Sequence, residues 1–246
     1  MRKNGTMGKE KSAFPEKGGI SMQYEIKGDN FPVVICQLSN GEQMFTEAGS
    51  MVWMTPNMEM STSGGGGLGS MFSRALSGEN LFQNIYKARG DGMIAFGSSF
   101  PGRILAIPME NGREIILQKR AFLAAESGVQ LAMHFQQKLG AGFFGGEGFI
   151  MQRVSGNGML FVEVDGEYIE YELQSGQQMI VDTGNVLGME GSVSLDIQQV
   201  KGMKNKLLGA EGFFHTVLTG PGKIWLQTMP ISGLAGAIAP FLPLRN

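Results

Sequence analysis

Two kinds of glycine turn recur three times along this chain, and they recur in step. The first is Gly-x-Gly: Gly90-Asp91-Gly92, Gly156-Asn157-Gly158 and Gly220-Pro221-Gly222, spaced by 66 and 64 residues. Each runs into an apolar segment: Met93-Ile94-Ala95-Phe96, Met159-Leu160-Phe161-Val162 and Lys223-Ile224-Trp225-Leu226. The second is Asn40-Gly41, Asn111-Gly112 and Ser175-Gly176, with its glycines spaced by 71 and 64 residues. Each is followed by a polar pair and then Met44-Phe45, Ile115-Ile116-Leu117 or Met179-Ile180-Val181. Two independent markers in register identify an internal duplication, which must be read before any other feature. The first copy carries the extra length, and Gly64–Gly67 is where it is expected to sit.

Short apolar runs between such turns predict strands. In Tyr168-Ile169-Glu170-Tyr171-Glu172-Leu173 and Val193-Ser194-Leu195-Asp196-Ile197 the period is two. Asn-Gly and Asp-Gly between apolar runs predict type I′ hairpins, and Pro221-Gly222 a type II turn, so two hairpins are expected per copy. Brief helices are expected over Leu68–Leu76, Met133–Leu139 and Lys201–Leu208. The chain divides into a mobile tail (1–21), copies at 22–108, 109–172 and 173–232, and a C-terminal tail (233–246).

Glycine, at 38 of 246 residues, is about twice its usual share, with no period of three. Hydrophobic residues make up 42% and charged residues 17%, so the chain can bury a core. Residues 1–21 hold five basic against two acidic residues, which leaves −5 on the remainder of a chain of net charge −2. Such a body is a poor polyanion binder. One cysteine, Cys36, excludes an intrachain disulfide and fits a reducing, cytoplasmic setting. No leader-like apolar run is read in residues 1–21. No stretch has the length of a membrane helix; the apolar run Ile231–Leu244 is short and carries Pro240 and Pro243.

Several segments carry a family resemblance: Met22-Gln23-Tyr24-Glu25-Ile26, Ser73–Phe82, Gly145–Phe149 and Gly220-Pro221-Gly222-Lys223-Ile224-Trp225-Leu226-Gln227-Thr228. From Met22 to Pro230 the chain resembles the family of the fungal altered-inheritance-of-mitochondria protein twenty-four. The resemblance implies an all-β fold: three tandem β-sandwich units, each similar to the tryptophan RNA-binding attenuation protein (TRAP), in pseudo-threefold arrangement with short helical linkers. It also implies a homotrimer, a family body that starts near Met22, and no catalytic set to carry over.

Candidate chemistry is sparse. Ser63-Gly64-Gly65-Gly66-Gly67-Leu68-Gly69-Ser70 contains a formal Gly-x-Gly-x-x-Gly, but it lacks a βαβ context and has Ser70 where a phosphate loop needs Lys. It reads as a flexible loop. His134, His215 and Cys36 lack the paired spacing of a structural metal site. Nothing near Cys36 marks it as a nucleophile, so it reads as a core residue. No catalytic residue, metal or cofactor is therefore assigned.

Glu79, Glu147 and Glu211 precede equivalent strands and are the candidate ligand-binding residues, around a pseudo-axis. The competing and preferred reading has each carboxylate bonding backbone donors of a neighbouring turn, since repeats keep fold-maintaining residues first. The 18 methionines read as fillers of core and subunit gaps.

The functional expectation is a cytoplasmic, non-enzymatic scaffold or binding protein. It would be a homotrimer with contacts through Phe143-Phe144, Phe213-Phe214 and the C-terminal run, meeting membranes through an unidentified protein partner. One alternative is a small-molecule or enzymatic pocket at the pseudo-axis. An RNA-binding ring by analogy with TRAP is disfavoured: Lys87 and Arg89 match Arg153 only loosely, and Thr216–Thr219 stands in the third copy.

Overall fold

The computed structural model describes residues 22–47, 49–63, 83–137, 148–199 and 214–242. Nineteen strands and one short α-helix run through these residues, so the fold is all-β. The first stretch holds β1 (Gln23–Lys27), β2 (Val33–Leu38), β3 (Gln43–Thr46), β4 (Met51–Met54), β5 (Met58–Ser63), β6 (Gln83–Ala88) and β7 (Gly92–Gly97). Next come β8 (Gly102–Met109), β9 (Ile115–Gln118), β10 (Phe122–Glu126), β11 (Val129–Gln137), β12 (Phe149–Gly156) and β13 (Gly158–Asp165). The last stretch holds β14 (Tyr168–Leu173), β15 (Gln178–Asp182), β16 (Val186–Glu190), β17 (Ser194–Gln199), β18 (Phe214–Thr219), β19 (Gly222–Gln227) and α1 (Ile231–Ile238).

These strands form four antiparallel sheets, ordered β1-β2-β7-β4, β5-β6-β3-β10-β13-β8, β11-β12-β9-β16-β19-β14 and β15-β18-β17. The same orders recur along the sequence. β2-β7-β4 is matched by β8-β13-β10 and β14-β19-β16, and β5-β6-β3 by β11-β12-β9 and β17-β18-β15. Each six-stranded sheet joins two such half-sheets, through β3 with β10 and β9 with β16.

Three apolar cores lie between successive sheets. Val34, Cys36, Ile94 and Phe96 of the first sheet pack with Met44, Tyr86 and Phe161 of the second. Leu160, Val162 and Val164 lie on the other face of β13 and pack with Ile115, Leu117 and Val154 of the third sheet. Ile116, Met151 and Ile224 complete the series with Val181 and Leu218 of the fourth. The two long sheets are thus apolar on both faces. That is why β10 and β13 read as near-continuous apolar runs rather than clean alternation.

The glycine turns are not hairpins. Asn40-Gly41 links β2 to β3, Asn111-Gly112 links β8 to β9 and Ser175-Gly176 links β14 to β15, in each case across two different sheets. Each is closed by a four-residue bond: Glu42 N–H to Ser39 O, Arg113 N–H to Glu110 O, and Gln177 N–H to Gln174 O. The glycines adopt φ of +90°, +75° and +76° with open space around them. The Gly-x-Gly turns also cross sheets, from β6 to β7, β12 to β13 and β18 to β19, and the Gly220–Pro221 peptide is cis. A turn chemistry that permits reversal does not say which strand the returning chain will pair with. Here the returning strand packs over its predecessor instead of beside it.

The expected helix at Met133–Leu139 is strand β11 as far as Gln137, where pairing with β12 overrides local propensity. Residues 138 and 139, the other two expected helices, the 1–21 tail and Gly64–Gly67 lie outside the described residues. The divisions at 108/109 and 172/173 fall inside β8 and β14, and α1 straddles the one at 232/233.

Candidate functional site

Glu79, Glu147 and Glu211 lie outside the described residues. Among the described residues, Thr55, Glu126 and Glu190, which stand at or just beyond the ends of β4, β10 and β16, each hold a turn. Thr55 Oγ1 accepts the backbone N–H of Met93 at 3.0 Å. Glu126 Oε2 accepts that of Met159, and Glu190 Oε2 that of Lys223 at 3.1 Å. The donor in each case is the residue after the second glycine of Gly-x-Gly.

A side chain at that glycine would crowd its neighbours. A Cβ at Gly92 would lie 3.1 Å from Thr55 Oγ1, one at Gly158 2.9 Å from Glu126 Cβ, and one at Gly222 3.3 Å from Glu190 Oε2 and 2.6 Å from Ser192 Oγ. Burial is the main influence on Glu126 and pushes its pKa up; the Met159 N–H opposes this, and Glu42 adds to it. Sequence reading missed this set because its first member is Thr. For the other two members, a Glu 33 residues before the residue that follows Gly-x-Gly is the signal that would have found it.

The other candidates stay apart. Cys36 is fully buried on β2, and burial, with Glu126 adding to it, pushes its thiol up to about 12. A thiol so disposed is a poor nucleophile. His134 lies on β11 with Nδ1 3.3 Å from Arg153 Nη2; burial first, then the Arg153 charge, lowers its pKa against the pull of Glu114. His215 lies on β18, in another sheet, opposite Asp182. Among the described residues no group of three His, Cys, Asp or Glu is placed to hold a metal, and no helix is long and apolar enough to cross a membrane.

What the surface does offer is apolar. α1 has no buried residue and no charge, and beyond it Phe241 is 85% and Leu242 61% exposed. Its start is held by Asp165, whose Oδ2 accepts the Ile231 N–H at 2.9 Å. Burial raises the Asp165 pKa, while that N–H and the Arg120 charge pull it down. Of the expected contact residues, Phe214 is partly buried against the third core; Phe143, Phe144 and Phe213 lie outside the described residues.

Comparison with known proteins agrees with the all-β architecture. A crystal structure of a Streptococcus pyogenes protein superposes with a TM-score of 0.75 at 27% identity, covering 90% of this chain and 100% of that one. An uncharacterised protein of Streptococcus pyogenes serotype M6 is 30% identical over 225 residues, 88% of this chain and 89% of the relative. The profile of the family described as mitochondrial biogenesis AIM24 matches residues 24–229, from the second residue of β1 to the residue before Pro230, and the chain belongs to that family.

Proposed function

We propose that this protein is a cytoplasmic, non-enzymatic scaffold: three tandem TRAP-like sandwiches per chain, assembled as a homotrimer that presents an apolar surface to a protein partner and meets membranes through it. The observation that carries the reading is the C-terminal segment, an uncharged helix with no buried residue that leads into exposed Phe241 and Leu242. Exposed apolar material of this kind marks interaction surfaces. The thrice-recurring strand order supports the tandem reading, the family's mitochondrial-biogenesis description fits a membrane-linked role, and the free Cys36 thiol fits a reducing compartment.

Charge pairing argues against RNA. Arg89 is held by Glu59 at 2.7 Å, Arg153 by Glu114 at 3.1 Å and Lys223 by Glu170 at 2.7 Å. Carboxylates at those distances oppose phosphate capture.

The test is affinity capture from lysate with the full chain and with Phe241→Asp/Leu242→Asp. A specific protein recovered by the first and lost with the second supports the reading. No protein above background with the full chain would overturn it, as would submicromolar, salt-dependent RNA retention on filters.

A further inference from the structure

The two internal joins show what the chain does with two of its strand types. β3 pairs with β10, Phe45 opposite Ala125 and Met44 opposite Glu126. β9 pairs with β16, Ile116 opposite Met189 and Ile115 opposite Glu190. Counting from the turn glycines Gly41, Gly112 and Gly176, the third strand of the first type is β15, with Ile180 at the place of Phe45 and Ile116. The remaining strand of the second type is β4. It has the same bulge as β10 and β16, at Met51/Trp53 where they have Phe122/Ala124 and Val186/Gly188. Thr55 follows it where Glu126 and Glu190 stand.

β4 and β15 are both sheet edges. In β10 and β16 the first four residues are buried, and β9 is buried throughout. In β4, by contrast, Val52 is 52% and Trp53 42% exposed, and in β15 Ile180 is 67% exposed. The residues are as apolar as those of the buried joins. Met51-Val52-Trp53-Met54 holds no charge or proline, the devices that protect a free edge. The exposure of Val52, Trp53 and Ile180 also means that the two edges do not cover each other within one chain.

We propose that β15 of one copy pairs antiparallel with β4 of a second copy, in the register of the internal joins, Ile180 opposite Met54 and Met179 opposite Thr55. The composite sheet has the order β17-β18-β15-β4-β7-β2-β1, which repeats the two internal sheets with β1 added. The contact is head-to-tail, so each copy still offers one β4 and one β15, and growth ends only by ring closure. This rests on the self-association proposed above and names its surface: the sheet edges rather than the phenylalanine pairs.

The experiment uses the full chain with Cys36→Ala. Met54→Cys and Ile180→Cys are introduced together and singly, followed by mild oxidation, non-reducing electrophoresis and light scattering. The expected result is dimer and trimer bands from the double variant, dimers from an equimolar mixture of the single variants, and no linkage within either single variant alone. Linkage within one single variant, or a cross-link confined to one chain, would overturn the junction. Absence of linkage with the mass still near 80 kDa, three times 26.5 kDa, would overturn the junction and leave the trimer standing. A mass of 26.5 kDa for the unmutated chain would overturn both. Independently, Ile180→Lys, at an exposed site, is expected to lower the mass to 26.5 kDa with an unchanged far-ultraviolet dichroism spectrum; retention of the trimer mass by the folded variant would count against the junction.

Discussion

The carboxylate of Glu190 holds the backbone N–H of Lys223 at 3.1 Å, beside Gly222, where a Cβ would meet Ser192 Oγ at 2.6 Å. Glu126 does the same for Met159, and the Thr55 hydroxyl for Met93. Each contact ties the end of one strand to the start of the neighbouring strand, where the chain has just crossed between sheets.

Substitution of that glycine should therefore cost more than substitution of a glycine in open space. Gly158 has φ of +135°, and its Cβ would meet Glu126 Cβ at 2.9 Å, whereas Gly112, at +75°, has nothing within 4 Å. Gly158→Ala is expected to destabilise by about 2–4 kcal/mol and Gly112→Ala by about 1 kcal/mol. Urea unfolding of both variants checks the order; equal costs would mean that the contact is not limiting.

Removing the acceptor tests the other half of the contact. Glu190→Ala leaves the Lys223 N–H without this partner and should cost about 1–2 kcal/mol, while Glu190→Gln keeps an acceptor oxygen and should cost clearly less. Indistinguishable unfolding midpoints for the two variants would contradict this.

Glu163 predicts a pH dependence. Its carboxylate accepts from Ser98 Oγ at 3.1 Å, Ser99 N–H at 2.7 Å and Ser99 Oγ at 3.0 Å. Burial nonetheless dominates and raises its pKa above the ordinary 4.5, with Asp165 adding to the rise against those bonds. A raised carboxyl pKa means that the folded chain keeps its proton at a pH where the unfolded chain has lost it. The stabilising share of this group is complete below 4.5 and is lost as pH rises through the folded pKa. The stability of Glu163→Gln relative to the unmutated protein should therefore increase from pH 5 to pH 7.5, measured by denaturant titration. A difference independent of pH would remove the argument.

Cys36 should be chemically silent while the protein is folded. With the thiol at about 12, the thiolate fraction at pH 8 is about one in ten thousand, and the sulfur is fully buried. Ellman's reagent at pH 8 is expected to report no free thiol in native protein and one per chain in guanidinium. Rapid reaction in the native state would show that the first core opens.

Phe45 and Phe122 stack across the first join, with ring centroids 5.4 Å apart. Phe45→Ala should cost about 3–5 kcal/mol, and a double-mutant cycle with Phe122→Ala should give a coupling of about 0.5–1.5 kcal/mol. Additive effects would show that the rings act independently.

The all-β class and the positions of the turns were legible in the chain itself. Gly41, Gly112 and Gly176 adopt positive φ, a constraint local to one residue that leaves a mark in the sequence. Cys36 reads as a core residue because nothing near it marks a nucleophile, and it is fully buried on β2. Pairing was not legible. Val181, Val162 and Phe96 are equally apolar, and only contacts between residues far apart in sequence decide that β7 lies beside β2 and β4 rather than beside β6, the strand it follows. The carboxylates at the turns escaped for that reason too: Glu126 reaches a donor 33 residues away, a distance set by how the sheets stack. Local turn chemistry thus settled where the chain reverses. That β4 and β15 lie at sheet edges was decided by tertiary structure, because an edge exists only relative to the strands that are missing from it.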